Sequence, residues 1–125
     1  MLNVRNVVFK GRSNRDYSFN VYDLNANFNE VPAVYSISKR EIRIDGNGWR
    51  HTVLYFGITN NLKARLNDHH KLADCIRQGA NCISVHQDPQ EVSRIDKEAD
   101  LIAYYQPPLN DMLKQPSKNG LGNFL

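Results

Sequence analysis

The sequence has few cysteines, the residues that form disulfides in secreted domains and that ligate structural zinc. Its only cysteines, Cys75 and Cys82, fit neither a Cys-x-x-Cys pair nor the spacing of a zinc site. We therefore expect both to be small core residues in a reducing compartment, and the protein to be cytoplasmic. No apolar run approaches the roughly 18 residues that span a bilayer. The first residues also lack the pattern of a secretory signal, so we expect no membrane partner.

The sequence also lacks two common enzyme signatures, a glycine-rich phosphate-binding loop and a His-Glu-x-x-His motif. Neither sign of charge predominates strongly, since 16 Lys and Arg against 13 Asp and Glu give a net charge of +3. The 125 residues are 41% hydrophobic and 23% charged, which is typical of one globular domain and excludes disorder throughout the chain. A charge of +3 is compatible with an anionic partner without indicating one.

The positive charge is concentrated in the first part of the chain. Residues 1–50 contain eight Lys and Arg against five Asp and Glu, whereas residues 51–125 are balanced. Arg12 and Arg15 both precede the first acidic residue. This basic start is consistent with a solvated edge and equally with an arm that contacts phosphates.

The distribution of β-branched and aromatic residues predicts five strands, at residues 4–9, 17–22, 33–38, 52–58 and 82–86. In the second of them Tyr17, Phe19 and Val21 alternate with polar residues, which predicts one buried face. The sequence Asp-Gly-Asn-Gly at 45–48 separates the third and fourth strands and predicts an antiparallel hairpin. We expect residues 23–32, rich in Asn, to form a loop.

Two helices are predicted. The first covers 61–78, with Asn60 or Asn61 as its N-cap and Gly79 as its C-terminal stop. The second begins at Asp88, where Asp as N-cap, Pro at the first position and Glu91 form a capping pattern, and ends near Tyr105.

This order of elements predicts a small mixed α/β domain of the α+β type, with an antiparallel three-stranded sheet flanked by helices and an N-terminal β extension. It has too few strand–helix units for a doubly wound sheet. We divide the single domain into an N-terminal β extension and loop (1–32), a core (33–110) and an irregular tail (111–125).

On the first predicted helix, 100° per residue places most apolar side chains on one stripe. The members of this stripe are Leu62, Leu66, Leu72, Ala73 and Ile76. His69 and Arg65 fall inside the same arc, and His70 points away. Such a His is often a hydrogen-bonded core residue, and an Arg stem packs on apolar surface while its head reaches solvent. Together, however, they also suit a phosphate, whose paired oxygens match a guanidinium.

On the second helix, Val92, Ile95, Ala99 and Ile102 form the apolar stripe, with Glu98 at its edge. An edge carboxylate is usually solvated or paired with an Arg, but this position also reaches a neighbouring pocket.

The hairpin strands carry two tyrosines, Tyr35 and Tyr55. Strand tyrosines usually pack and hydrogen-bond at an edge, and a phenol serves as a base near neutral pH only beside a cation or a His.

These residues together resemble the GIY-YIG nuclease superfamily over about 33–110. Ala-Val-Tyr at 33–35 stands for Gly-Ile-Tyr and Tyr-Phe-Gly at 55–57 stands for Tyr-Ile-Gly, followed in order by Arg65, His69, Glu98 and Asn110. The tripeptides depart from the family pattern at Ala33, Val34 and Phe56. None of these changes removes a chemical group from the expected site.

The resemblance implies a divalent-metal-dependent endonuclease that hydrolyses phosphodiester bonds in DNA. Its implied catalytic residues are Tyr35, Tyr55, Arg65, His69 and Glu98. Glu98 would hold one Mg²⁺ or Mn²⁺ ion, and Asn110 would support Glu98 or the loop behind it. Which tyrosine is the base stays open.

The implied partner is duplex or branched DNA, with RNA also open, and a double-strand break would need a homodimer or two encounters. We expect phosphate contacts from Arg12, Arg15, Arg40, Lys63 and His70, although Lys63 and His70 also suit a solvated helix face. One alternative is a nucleic-acid-binding or regulatory protein that has this fold and little or no cleavage activity. The other is a protein-interaction module that docks through 23–29 and the tail.

Overall fold

The computed structural model describes residues 6–110 of the chain. Within this range the strands are β1 (Asn6–Lys10), β2 (Asp16–Asp23), β3 (Ala33–Ile42), β4 (Trp49–Thr59) and β5 (Cys82–Gln87). The helices are α1 (Leu62–Asn67), α2 (Leu72–Arg77) and α3 (Glu91–Tyr105). The predicted α+β class is confirmed. The predicted tail at 111–125 and the start of the first predicted strand, at 4–5, lie outside the described residues.

All five strands form one antiparallel sheet in the order β1-β2-β5-β3-β4. Because β2 pairs with β5, the N-terminal strands that we expected as an extension belong to the same sheet, which has five strands instead of three. The predicted hairpin is confirmed as β3 and β4, paired from Ala33 opposite Thr59 to Ile42 opposite Trp49. The hairpin extends well beyond the apolar residues that predicted it, because backbone pairing continues along its polar end as far as Ile42 and Trp49.

The sheet separates two apolar clusters. One lies on the side of α1 and α2 and includes Tyr35, Ile37, Leu62, Leu66, Cys75 and Ile83. The other lies on the side of α3 and includes Phe9, Phe19, Val34, Phe56, Leu101 and Ile102. Cys75 and Cys82 are buried and free, and burial raises the pKa of each thiol to about 11. The expectation that both are core residues is therefore confirmed.

The single helix predicted over 61–78 is wrong, because it is broken between α1 and α2. Asp68 leaves the helical region at φ −139° and ψ 54°. His69 then accepts a hydrogen bond from the backbone N–H of Lys71 through its own Nδ1, at 3.0 Å. This local acceptor replaces the carbonyl that a continuous helix would offer. Both predicted ends are correct, since Asn61 caps the start and Gly79, at φ +99°, follows the end.

Because the helix is broken, the prediction that treats 61–78 as one continuous helix does not apply beyond residue 68. Leu62 and Leu66 are buried as expected, but Ala73 and Ile76 are exposed, and Cys75 takes the buried position in α2. Positions after residue 68 no longer follow the phase set by Leu62, so the predicted apolar arc around His69 does not exist.

The first half of α3 also differs from its predicted stripe. Val92 and Ile95 are exposed, whereas Leu101 and Ile102 are buried. At this end the inward position is held by Arg94, a residue that the apolar pattern does not identify.

Arg94 is 4% exposed and ties the start of α3 to the end of β4. Its guanidinium donates to the carbonyl of Asp88 at 3.0 Å and to the side chain of Asn60 at 2.7 Å. Asp88 is not the N-cap that we expected, because α3 begins at Glu91 after Gln90. Instead the Asp88 carboxylate accepts from the Gln90 N–H, at 3.0 Å, and from the Ser93 hydroxyl, at 2.6 Å. Among residues 6–110, no helix is long and apolar enough to cross a membrane.

Candidate active site

Tyr35 is fully buried on β3, and its ring lies over the neighbouring strand β4. The residue opposite it in the ladder is Gly57. A Cβ atom on Gly57 would lie 2.5 Å from both Cζ and Oη of Tyr35, which is closer than a real Cβ approaches any neighbour. Glycine at 57 therefore creates the space that the Tyr35 ring occupies.

The Tyr35 hydroxyl reaches His69, in the break between α1 and α2. Tyr35 Oη and His69 Nε2 are 2.8 Å apart. Since Nδ1 of His69 accepts from the Lys71 N–H, the proton of the neutral ring belongs on Nε2, which then donates to the Tyr35 oxygen. Burial, helped by the nearby charges of His70 and Arg65, lowers the pKa of His69 to about 4. His69 is therefore neutral at pH 7 and acts as a hydrogen-bond donor to Tyr35.

Tyr55, half-buried on β4, completes an aromatic group around His69. Its ring centroid is 5.1 Å from that of His69, edge to face, and 6.2 Å from that of Tyr35. Burial raises the pKa of both tyrosines. The charge of Arg65 opposes this for both phenols, and a hydrogen bond from Arg65 also lowers the pKa of Tyr35. Without further positive charge, both phenols keep their protons at neutral pH.

Arg65 is exposed on α1 and does not lie in an apolar arc, contrary to our expectation. Its charge nevertheless acts on Tyr35, Tyr55, His69 and Glu98. The charge of Arg65 therefore acts on groups in β3, in β4, in the helix break and in α3.

Glu98 comes to this group from α3, although the body of α3 packs on the other face of the sheet. Its charge raises the pKa of Tyr35 and of Tyr55, so Glu98 lies close enough to act on both phenols. Burial raises the pKa of Glu98 to about 7, and the charge of Arg65 opposes the shift. Burial therefore favours the protonated form of Glu98, and a bound cation would favour the ionised form.

Glu98 fits the single carboxylate that an Mg²⁺ or Mn²⁺ ion needs when water and phosphate oxygens complete its coordination. Within residues 6–110, no group of three or more His, Cys, Asp or Glu side chains forms a cage for a metal. The donor chemistry thus suits a hard cation shared with a bound phosphate, and a cation here would compensate the charge on Glu98.

Asn110 supports a different element from the one we expected. Its side-chain amide accepts from the Phe56 N–H at 2.9 Å and donates to the Phe56 carbonyl at 2.8 Å. The Leu109 N–H donates to the Leu54 carbonyl at 3.0 Å. The described side-chain bonds of Asn110 therefore go to β4, and they hold the edge strand between Tyr55 and Gly57.

The five predicted phosphate contacts are scattered over the surface. Arg12 and Arg15 lie exposed in the turn between β1 and β2, and Lys63 and His70 are exposed around α1. The His70 ring stacks on His69, with centroids 5.6 Å apart. Arg40 lies over the ring of Trp49, at 4.5 Å from its centroid. Of these, the structure brings only His70 against the candidate site.

A second polar cluster, missed by sequence reasoning, surrounds Asp100 on α3. Its carboxylate accepts from the Ser13 N–H at 2.8 Å and from the hydroxyls of Ser13 and Tyr17, each at 2.6 Å. Burial acts to raise the pKa of Asp100, but these bonds and the charge of Arg15 outweigh it and lower the pKa. Asp100 therefore fastens the β1–β2 turn to α3. A signal for it was absent, because its partners lie more than 80 positions away in the chain.

A chain of polar contacts next to this cluster joins β2, β5 and α3. Lys97 donates to Asp88 Oδ2 and to His86 Nε2, each at 2.8 Å. His86 in turn donates through Nδ1 to the Ser18 carbonyl at 2.8 Å. Burial acts to raise the pKa of Asp88, but hydrogen bonds from Lys97, Ser93 and Gln90 outweigh it and lower the pKa.

Comparison of the chain with protein-family models, curated proteins and solved structures gives no significant match.

Proposed function

We propose that this protein is a divalent-metal-dependent endonuclease that hydrolyses phosphodiester bonds in DNA. The observation that carries the proposal is the 2.8 Å contact between Tyr35 Oη and His69 Nε2, in a group that also includes Tyr55, Arg65 and Glu98. The five residues that the sequence motifs select thus come from four separate segments and act on one another. The motif resemblance supports the choice of a phosphodiester as the substrate.

In this proposal the Tyr35 phenol first loses its proton to solvent, and the resulting phenolate orients the attacking water and accepts its proton. His69 keeps its own proton on Nε2 and donates it as a hydrogen bond to the Tyr35 oxygen, which stabilises the phenolate. His69 is therefore the partner of the base, and its low pKa keeps it neutral at pH 7. Because burial raises the pKa of Tyr35, the phenol loses its proton only when further positive charge adds to that of Arg65.

Arg65 would bind the non-bridging oxygens of the phosphate, since its exposed guanidinium is available to an incoming strand. Tyr55 would place a second hydroxyl next to the same group. Glu98 would hold the divalent ion, which when bound stabilises the leaving oxygen and the charge developing on phosphorus. Asn110 would keep β4 in register behind both tyrosines.

The test is incubation of the purified protein with supercoiled plasmid, single-stranded DNA, branched DNA and RNA, in Mg²⁺, Mn²⁺ or EDTA. We expect nicking of DNA in either metal and none in EDTA. Glu98→Ala abolishes cleavage and largely preserves DNA binding in EDTA. Glu91→Ala, which removes an exposed carboxylate from the same helix, is the matched control and cleaves like the wild type.

Metal-dependent cleavage by Glu98→Ala at the wild-type rate contradicts the mechanism. Retention of DNA by the wild-type protein without nicking in either metal favours the alternative, a binding or regulatory protein with this fold.

A further inference from the structure

The hairpin of β3 and β4 continues well past the sheet. Strand β5 pairs with β3 only from Ala33 to Ser38, so the segment 39–52 is a two-stranded ribbon, which we call the arm. The side chain of Asn81 fixes its base, accepting from the Arg40 N–H at 2.8 Å and donating to the Arg40 carbonyl at 3.0 Å. The arm is therefore a projecting element with an anchored root.

The arm contains much of the excess positive charge of the chain. It has four cations, Lys39, Arg40, Arg43 and Arg50, against two carboxylates, Glu41 and Asp45. The ion pairs of the arm are exposed, with Glu41 at 3.3 Å from Arg50 and 3.8 Å from Lys39, and Asp45 at 3.5 Å from Arg43. Exposed pairs of this kind contribute little to stability, so a phosphate exchanges for the carboxylate at low cost.

The tip of the arm also exposes apolar side chains that a free surface does not favour. Ile42 is 60% exposed and Ile44 is 102% exposed. Two bulky aliphatic side chains, flanked by cations on a narrow ribbon, match the major groove, where a two-stranded ribbon fits and an aliphatic group contacts the thymine methyl.

The arm and the candidate site share strands, and the odd-numbered residues of the arm on β3 also share the face of Tyr35, whereas Ile42 lies on the opposite face. Tyr35 and Lys39 point to the same side of β3, and the Lys39 side chain lies against Gly79 just beyond α2. Seven residues of strand separate Tyr35 from Ile42, which is about 23 Å. That distance corresponds to roughly 7 base pairs of duplex.

The structure assigns a second DNA contact to this protein: the arm lies in the major groove of a duplex about 7 base pairs from the phosphate at Tyr35. Arg43 and Arg50 bind phosphates, and Ile42 and Ile44 contact thymine methyl groups. This inference rests on the proposed function, because it takes DNA as the substrate. It implies that the protein engages duplex on one side of the cut and prefers thymine at that distance.

The first test measures binding of the full chain to a fluorescent 30-base-pair duplex in EDTA over a range of salt concentrations. We expect Arg43→Gln/Arg50→Gln to bind more weakly and to reduce the slope of log K against log salt by about 2, one for each lost phosphate contact. The control Lys10→Gln/Arg77→Gln removes two exposed, ion-paired cations elsewhere and leaves the slope near that of the wild type.

The second test replaces thymine by deoxyuridine throughout the duplex, which deletes the methyl groups. We expect the wild type to bind this duplex several-fold more weakly, and Ile44→Ser, which keeps Ile42, to show a smaller difference between the two duplexes with an unchanged salt slope. Ile76→Ser, which changes an exposed isoleucine on α2, is the control and still distinguishes the two duplexes. Methyl green in the major groove competes with the wild type, and distamycin in the minor groove does not.

Three outcomes overturn the inference. If the wild type binds no duplex, the proposed function and the arm both fail. If it binds duplex but the arm variants match their controls, the arm fails while the proposed function stands. If Ile44→Ser leaves DNA binding unchanged but converts a dimer to a monomer in sedimentation, the tip is a self-association surface.

Discussion

The two sides of α3 carry carboxylates in opposite electrostatic states. Asp100 accepts three hydrogen bonds from the β1–β2 turn, and its pKa is lowered. Glu98, two positions earlier, faces two phenols and one arginine charge, and its pKa is raised to about 7. Hydrogen bonds favour the ionised form of the first carboxylate, whereas burial favours the protonated form of the second.

The difference separates a carboxylate that joins distant segments from one that is a candidate for chemistry. Hydrogen bonds stabilise the ionised form of Asp100. Burial instead favours the protonated form of Glu98, and a strongly raised pKa of this kind recurs at functional sites. Each cluster also has a glycine that leaves room for its central side chain, Gly57 for Tyr35 and Gly11 for Asp100.

We expect the largest difference between the two clusters when each of these glycines is replaced by alanine. In Gly57→Ala the added methyl displaces Tyr35 from His69, and we expect cleavage to fall by about a hundredfold or more, as misplacement by about 1 Å does. In Gly11→Ala the added methyl collides with the Asp100 carboxylate, and we expect a loss of about 1–3 kcal/mol in stability. Cleavage per folded molecule should persist in Gly11→Ala.

Plasmid nicking and urea unfolding, measured on both variants, check this pair. Equal losses of activity per folded molecule in the two variants would show that the two clusters do not differ in role.

The second effect is the pH dependence of stability in EDTA. The pKa of Glu98 rises from an ordinary 4.5 to about 7, so the unfolded chain loses this proton first and stability falls as pH rises through that window. The pKa of His69 falls from 6.5 to about 4, so the unfolded chain gains this proton first and stability falls as pH drops through that window. The two trends oppose each other between about pH 4.5 and 6.5.

Single variants separate these trends. Glu98→Gln should show stability that rises with pH across this range, because the lowered pKa values of His69 and His51 then act unopposed. His69→Gln should show a slope shifted in the opposite direction, because the raised pKa of Glu98 then has only His51 against it. We expect the two slopes to differ by up to about 2.7 kcal/mol per pH unit, as for two protons. Urea midpoints from pH 4 to 8 measure both, and parallel curves for the two variants would contradict the assignment.

We expect the smallest effect from the two arginines in the β1–β2 turn, near Asp100. Arg12→Gln/Arg15→Gln should weaken DNA binding modestly and reduce the salt slope by about 1, without changing the rate of the chemical step. Salt titration of binding, together with single-turnover cleavage at saturating protein, measures the two quantities separately. Unchanged binding would leave this turn as a solvated edge.

The outer ends of the segment 61–78, the hairpin and the buried alternation of β2 were predictable from the sequence because each depends on neighbouring residues. Asn61 and Gly79 act within one helical turn, and Tyr17, Phe19 and Val21 alternate along one strand. The helix break at 68–71 was not predictable from apolar spacing. It depends on the ring of His69, which bonds both to the Lys71 backbone and to Tyr35 on another strand.

The five candidate residues, and the motif order that selects them, were identifiable in the sequence alone, as was the excess of positive charge before residue 51. The prediction from their spacing that Cys75 and Cys82 are core residues is also confirmed, because both are buried. Only the tertiary structure decided which carboxylate on α3 is held ionised by hydrogen bonds. That outcome depends on how the β1–β2 turn and the edge of β4 pack against the helix, and such distant contacts leave no periodic pattern in the chain.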